Sequence, residues 1–359
     1  MIHPVELREW MHANPEPAFK EHRVTDLLEQ ELKDQSSIQC YRPLDTGLIA
    51  CYQGHSSQPF TLLRADIDAL PSRRHDQLEC AEHLCGHDVH TAILWSVLQS
   101  VLKRRPKQNI LFLFQPGEES GDGAKRILQT GILENWMIEK SFALHVNDLY
   151  PLGSIASNCS TLFSASQELD IVFEGMQSHI TTPEKGIDAW KSCVLFQNLW
   201  EERTHIEETF LGIGRVEAGI ARNIIPPQGK MVMTARASSI TKLELMQEQI
   251  KDILCTISST IGTKNFIEKG SSCPPVQNNK ELYENAYKIL HPRFPFKTAK
   301  IAWAAEDYGY FSSVYPSFMF WLGTLEPGKK TVGLHHQNFY PSHDSIHIGA
   351  QVIASLLQL

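Results

Sequence analysis

The segment Asn109-Ile-Leu-Phe-Leu-Phe-Gln115 is an apolar run of strand length with no polar side to offer water. Such a run belongs in a sheet covered on both faces, the setting of parallel strands in α/β folds. The segments around it point the same way. Gly47–Tyr52, Phe60–Ala65 and Ser141–Val146 read as further short buried strands, whereas Val5–Met11, Val24–Leu32, His90–Arg104 and Gly123–Gln129 have helical spacing. This alternation predicts an α/β domain built on a mostly parallel sheet.

The middle of the chain changes character. Glu168–Glu174 alternates polar and apolar residues, as a half-exposed strand does. Ile187–His205 reads as an amphipathic helix, Leu211–Ala218 and Ile224–Ala237 as strands, and Lys242–Thr260 as a second helix. The order strand-helix-strand-strand-helix-strand predicts a small α+β sandwich, closing near the turn-rich stretch Gly270-Ser-Ser-Cys-Pro-Pro275. Helical Glu281–Leu290, the strand Phe318–Leu322 and the helix Ser345–Leu357 then resume the first pattern. The expected organisation is a discontinuous catalytic domain over 1–165 and 275–359, with a smaller domain inserted over 166–274.

Charge and composition exclude several classes of function. A net charge of −8, with no basic run longer than Lys103-Arg104-Arg105 at a helix end, argues against nucleic-acid binding. No apolar run reaches the roughly 20 residues of a membrane span. The opening Met1-Ile2-His3-Pro4-Val5-Glu6 lacks the basic start and apolar core of a secretory signal. Eight scattered cysteines form no small-domain disulfide framework, so reduced thiols and a cytoplasmic location are expected.

The chemistry gathers where the strands end, the edge at which open α/β sheets place their sites. Asp66-Ile-Asp68 follows one strand, Cys85-Gly-His87-Asp88-Val-His90 leads into a helix, and Pro116-Gly-Glu118-Glu119 follows the Asn109–Gln115 run. His145 follows another strand, and Gly333-Leu-His335-His336 precedes the last helix. Each has an ordinary explanation alone: a Glu pair favours a helix start, and a lone histidine at a strand end is usually hydrogen-bonded structure. Together they set thiol, imidazole and carboxylate donors at one sheet edge. Adjacent carboxylates there repel and are costly to desolvate, which points to bound cations.

These segments resemble the amidohydrolase branch of the aminoacylase and carboxypeptidase family of dinuclear metallopeptidases, which includes hippurate hydrolases, indoleacetyl-amino-acid hydrolases and N-acetyldiaminopimelate deacetylases. The resemblance is carried by Leu-Arg-Ala-Asp-Ile-Asp-Ala-Leu-Pro (63–71), Cys-Gly-His-Asp-Val-His-Thr (85–91), Phe-Gln-Pro-Gly-Glu-Glu (114–119) and Leu-His (144–145). It continues in Gly175 to His179, Ala221-Arg-Asn-Ile-Ile-Pro226, Ala305-Glu-Asp307 and Leu-His (334–335). It implies Cys85, His87, Glu119, His145 and His335 as ligands of two divalent ions, with the Cys85 thiolate bridging them. Zn²⁺ suits these donors, and Mn²⁺ or Ni²⁺ are alternatives. Glu118 falls at the general base, and Asp68 where a carboxylate orients a ligand imidazole; Asp88 and His90 fall in similar supporting places, although a helix N-terminus also explains Asp88. His179 falls at a residue that reaches the substrate carbonyl from a closing lid or a paired subunit. Asn223 and Arg222 fall where substrate polar groups and an α-carboxylate are gripped. The implied reaction is two-metal activation of water to remove an N-acyl group from an amino acid or small peptide, in a homodimer formed through the inserted domain. A dipeptidase or aminopeptidase activity, or a non-catalytic binding protein of the same fold, are the alternatives.

Several positions depart from the family pattern. Met176-Gln177 replaces a small turn before His179, and Thr181-Thr-Pro183-Glu184 replaces the usual segment after it. Ser72-Arg73-Arg74 follows Pro71 in place of an acidic residue, Gly117 stands for Ala, and His336-Gln337 replaces Ser-Pro. No ligand is lost, so these departures bear on substrate choice. Cys80 and His83, near Cys85, are expected to be structural or to line the rim. Trp303, Tyr308 and Phe311 are expected in the core.

Overall fold

The computed structural model describes residues 1–55, 57–72, 80–203 and 205–359. They form two compact units, one of Met1–Leu162, Val276–Ile301 and Glu306–Leu359, the other of Phe163–Pro275 with Ala302–Ala305.

The first unit is built on an eight-stranded sheet, in the order Ile38–Tyr41, Leu48–Gln53, Asn109–Gln115, Phe60–Asp66, Ile138–Pro151, Ser317–Leu325, Ile155–Ser157 and Phe296–Thr298. Its four central strands run parallel, as the apolar Asn109–Gln115 run requires, and every residue of that run is buried. Antiparallel pairing begins on either side of this centre. Register brings the chemistry to one edge. Asp66 pairs with Gln115, so these two strands end level, and Arg64 pairs with Ala143, which carries His145 to the same end.

The helix His87–Arg104 packs against this sheet with Val89, Ile93, Trp95, Val97, Leu98 and Val101 at no more than 1% exposure. Burying side chains of this size stabilises by about 1.5–3 kcal/mol each. The helix starts at His87, three residues before the expected His90. The reason is Gly86, whose φ of 91° lies in the left-handed region and whose added Cβ would fall 2.4 Å from Val146 Cγ2. The chain therefore turns sharply between Cys85 and His87, and both side chains face the strand ends.

The second unit carries a four-stranded antiparallel sheet, ordered Thr209–Ala218, Gln228–Ala237, Ala165–Glu174 and Lys264–Cys273. Along Gln228–Ala237 burial alternates strictly, and the inner face meets the helices Ala189–Arg203 and Ile240–Ile261 in one apolar core. Two boundaries differ from the sequence reading. The strand expected from Ile224 starts at Gln228, because Pro226 and Pro227 have no N–H to give a ladder. Gly270–Cys273, expected as a turn, stays in the strand, because Ser272 and Cys273 pair with Gln167 and Ser166. Cross-strand bonds override the local turn composition there.

Candidate metal centre

Two donor triads share one sulfur. Cys85, His87 and His145 form one, Cys85, Glu119 and His335 the other, with the donor atoms of each within 4.8 Å of one another. Cys85 Sγ lies 3.4 Å from His145 Nε2 and 3.3 Å from His335 Nε2. The backbone sets the tautomers of two imidazoles. His87 Nδ1 donates to the Asp68 carbonyl at 2.9 Å, and His145 Nδ1 to the Val146 carbonyl at 2.9 Å. A carbonyl only accepts, so each Nδ1 carries the proton and each Nε2 keeps its lone pair.

Among the described residues, His87 Nε2 and Glu119 Oε1 are buried with no hydrogen-bond partner. His87 Nε2 lies 3.7 Å from Glu119 Oε1 and 3.8 Å from Glu118 Oε2, too far for a hydrogen bond. Unpartnered buried polar atoms are costly. A divalent cation would use those lone pairs, so the residues present fit a metal.

Electrostatics agree. Burial pushes the Cys85 thiol up, and raises Glu119 to about 7 against the opposing pull of His87. Burial and then Glu306 raise the Glu118 carboxyl well above its usual range. The site gathers a thiol and several buried carboxyls, and Glu119 adds to the rise of Glu118. Positive charge from a metal would return the thiol and these carboxyls to their ionised forms.

The turn that carries the glutamates is held from below. The Gly117 N–H donates to Glu21 Oε1 at 2.8 Å, and the Phe19 N–H donates to the same oxygen at 2.9 Å. Gly117 has a φ of 72°, and a Cβ there would sit 2.5 Å from the Phe19 ring, which accounts for glycine in place of the family's usual alanine. Asp68 Oδ2 accepts the Glu119 N–H at 2.8 Å, so Asp68 touches both the His87 ring and the Glu119 backbone.

Beneath these lies a network that sequence reasoning missed. Buried Arg64 reaches Asp66 at 2.8 Å, Asp307 at 2.9 Å, Glu306 at 3.0 Å and Gln115 Oε1 at 2.7 Å. Asp66 also accepts from His90 Nδ1 at 2.6 Å, while His90 Nε2 accepts the Val146 N–H at 2.9 Å. His90 therefore has both nitrogens engaged and supports the site from below. The available signal was two charged residues, Arg64 and Asp66, in an otherwise apolar strand.

Some expectations are corrected. Asp88 does not hold a ligand imidazole, because its carboxylate faces His12 Nδ1 at 3.0 Å and Arg8 Nε at 3.4 Å. Trp303 is 43% exposed, whereas Tyr308 and Phe311 are fully buried. His83 is buried against the His12 ring and held neutral by burial, with its pKa lowered to about 4. The side chain of Cys80 and residues Arg73 and Arg74 lie outside the described residues.

In the second unit, His179 and Asn223 lie on neighbouring segments. The Ile180 N–H donates to the Asn223 carbonyl at 3.0 Å, and His179 pairs with Ile224 in an isolated bridge. His179, Arg222 and Asn223 are exposed, and His179 Nδ1 lies 2.7 Å from Thr181 Oγ1.

A mostly parallel sheet with thiol, imidazole and carboxylate donors at its strand ends defines a candidate metal-binding protein of the α/β class. The profile of peptidase family M20/M25/M40 matches residues 62–359. N-acetyldiaminopimelate deacetylase of Oenococcus oeni is 30% identical over 378 residues, covering 98% of this chain and 97% of that protein. The Bacillus subtilis enzyme of the same name is 30% identical over 366 residues, covering 97% and 96%. The crystal structure of a dinuclear metal-binding peptidase of the M20 family from Bacillus subtilis superposes with a TM-score of 0.84 at 25% identity, covering 98% and 96%. The chain belongs to peptidase family M20/M25/M40, and it is an amidohydrolase.

Proposed function

We propose that the chain removes the N-acyl group from an acylated amino acid of the N-acetyldiaminopimelate kind, using two metal ions that Cys85, with His87, His145, Glu119 and His335, would hold. The observation that carries this reading is the shared sulfur, which belongs to both donor triads. His87 and His145 complete one ion's set, Glu119 and His335 the other's. Thiolate and imidazole donors favour Zn²⁺, with Mn²⁺ or Ni²⁺ as alternatives. When bound, such a pair polarises the amide carbonyl and lowers the pKa of water from about 15.7 towards about 7.

The chain's own groups then move the proton. Glu118, on the buried turn beside Glu119, accepts a proton from the attacking water and delivers it to the leaving amine. Asp68 keeps the His87 ring in the tautomer that offers Nε2. His179, Asn223 and Arg222 are assigned to the substrate's carbonyl and carboxylate, Arg222 because its planar fork matches a carboxylate.

We assign the second unit the roles of lid and dimer contact. Trp190, Val194 and Val216, each at least 40% exposed, lie with Ile213 and Met231 along an apolar groove of about 390 Å³ beside the edge strand Thr209–Ala218. None of the seven cysteines whose side chains are described is in a disulfide, which supports a reducing, cytoplasmic setting. Among the described residues no helix is long and apolar enough to cross a membrane.

A hydrolysis screen tests the reading. N-acetyldiaminopimelate, acetyl-, benzoyl- and longer-acyl amino acids, and unblocked dipeptides are compared with Zn²⁺, Mn²⁺ and Ni²⁺. Release of acyl groups with little cleavage of free dipeptides is expected. Preference for dipeptides would make the chain a peptidase, and no turnover of any substrate would make it a binding protein.

A further inference from the structure

Asp148 is a buried carboxylate, 7% exposed, with no ion pair among the described residues. It lies three residues beyond His145 on the strand Ile138–Pro151. Its Oδ2 accepts the Val332 N–H at 2.6 Å and the Gly333 N–H at 3.1 Å, and its Oδ1 lies 3.2 Å from the same Gly333 nitrogen. Two successive backbone N–H groups turned onto one carboxylate make a small anion-holding nest. Two residues further along stands His335.

His335 has a φ of 65°, a left-handed conformation that is uncommon for residues other than glycine. Such a conformation persists when its surroundings over-determine it. The His335 N–H donates to the Leu84 carbonyl at 2.8 Å, tying the residue to the neighbour of Cys85. On the other side, the Val332-Gly333 backbone is tied to Asp148. Gly333 itself has a φ of 86° and open space where a Cβ would lie, so conformation and not crowding calls for glycine there.

We propose that Asp148 is a positioning residue for His335, holding the loop so that Nε2 reaches Cys85 Sγ. One strand then serves both triads: His145 acts through its own side chain, and Asp148 acts through the backbone of the His335 loop. This rests on the two-metal reading above. A carboxylate serving only local folding would leave the two ions equal to those of the wild type.

The metal-free full chain is titrated with Zn²⁺ by calorimetry, as wild type, Asp148→Ala, His335→Ala and the double variant. Wild type is expected to take up about two ions. Asp148→Ala should bind one with wild-type affinity and the other about 10–100-fold more weakly, the range for losing a partner that orients a ligand. His335→Ala should weaken the same equivalent, and adding Asp148→Ala to it should weaken it no further. Two ions at wild-type affinity in Asp148→Ala, or additive losses in the double variant, overturn the proposal. Where Asp148→Ala does not fold, Asp148→Leu, which is close in size and accepts no hydrogen bond, is read by the same criterion. Wild type that takes up no Zn²⁺ overturns the two-metal reading instead.

Discussion

Cys85 and His335 are 250 residues apart in sequence, yet His335 Nε2 lies 3.3 Å from Cys85 Sγ. The sulfur meets His145 Nε2 at nearly the same distance from another strand. Replacing Cys85 therefore removes a donor from both triads. Cys85→Ala should lower Zn²⁺ content from about two ions per chain and weaken binding by more than the 10–100-fold of an outer partner's loss. Elemental analysis after reconstitution reads this, and two tightly held ions in the variant would end the assignment of Cys85 as a metal ligand.

Glu118→Gln keeps the shape of the turn held by Glu21 and Asp68 but removes the proton acceptor. Turnover should fall by roughly 10²–10⁴, the usual contribution of general acid–base catalysis, with metal content unchanged. Wild-type kcat in this variant would remove Glu118 from the proton path.

The apolar runs made the strand ends and helix starts legible, whereas the ligand set was implied by the family resemblance, and His335 lies in a loop between Ser317–Leu325 and Asp344–Leu356. The Asn109–Gln115 run leads to Glu118 and Glu119, and Cys85 and His87 lead into a helix. What joins them was not legible. Arg64 meets Asp307 across 243 residues and Asp148 meets Val332 across 184, and no local period encodes such pairings. Asp88 was misread because its place beside His87 in sequence says nothing of which side of the helix it faces, and it faces Arg8 and His12.

Arg64 pairs with Asp66, Glu306 and Asp307 in a fully buried cluster. Arg64→Met would remove that counter-charge from the three carboxyls. Removing one partner of a buried pair costs about 3–5 kcal/mol, and a loss of that order is expected in urea denaturation of the metal-free chain. A loss below about 1 kcal/mol, the scale of an exposed pair, would show that the cluster is not held by this charge.

Glu21 gives a pH dependence with a definite sign. Burial first, and then the Asp68 carboxylate, raise it from 4.5 to about 7, while Thr46 and Gly117 pull the other way. A carboxyl raised in the folded state contributes stability that is fully present below about 4.5 and is lost as pH rises through about 7. The metal-free wild type should lose up to about 3 kcal/mol through this group over that window. Glu21→Gln, which cannot ionise, should have a flatter curve, and parallel curves for the two proteins would refute the assignment.

His179 is exposed, and among the described residues its ring is hydrogen-bonded to Thr181, through the hydroxyl and the backbone N–H. Its removal should therefore change stability by no more than about 0.5 kcal/mol. A donor to the carbonyl oxygen where charge develops is worth about 10²–10³ in kcat, so His179→Ala should lose activity on that scale while unfolding at the wild-type urea midpoint. Wild-type kcat would leave His179 an ordinary loop histidine. A second measurement separates lid from partner: His179→Ala chains mixed with Glu118→Gln chains recover activity only if His179 serves the site of another copy. In such a mixed dimer one site pairs an intact Glu118 with an intact His179, whereas a lid closing on its own chain leaves every site short of one of them.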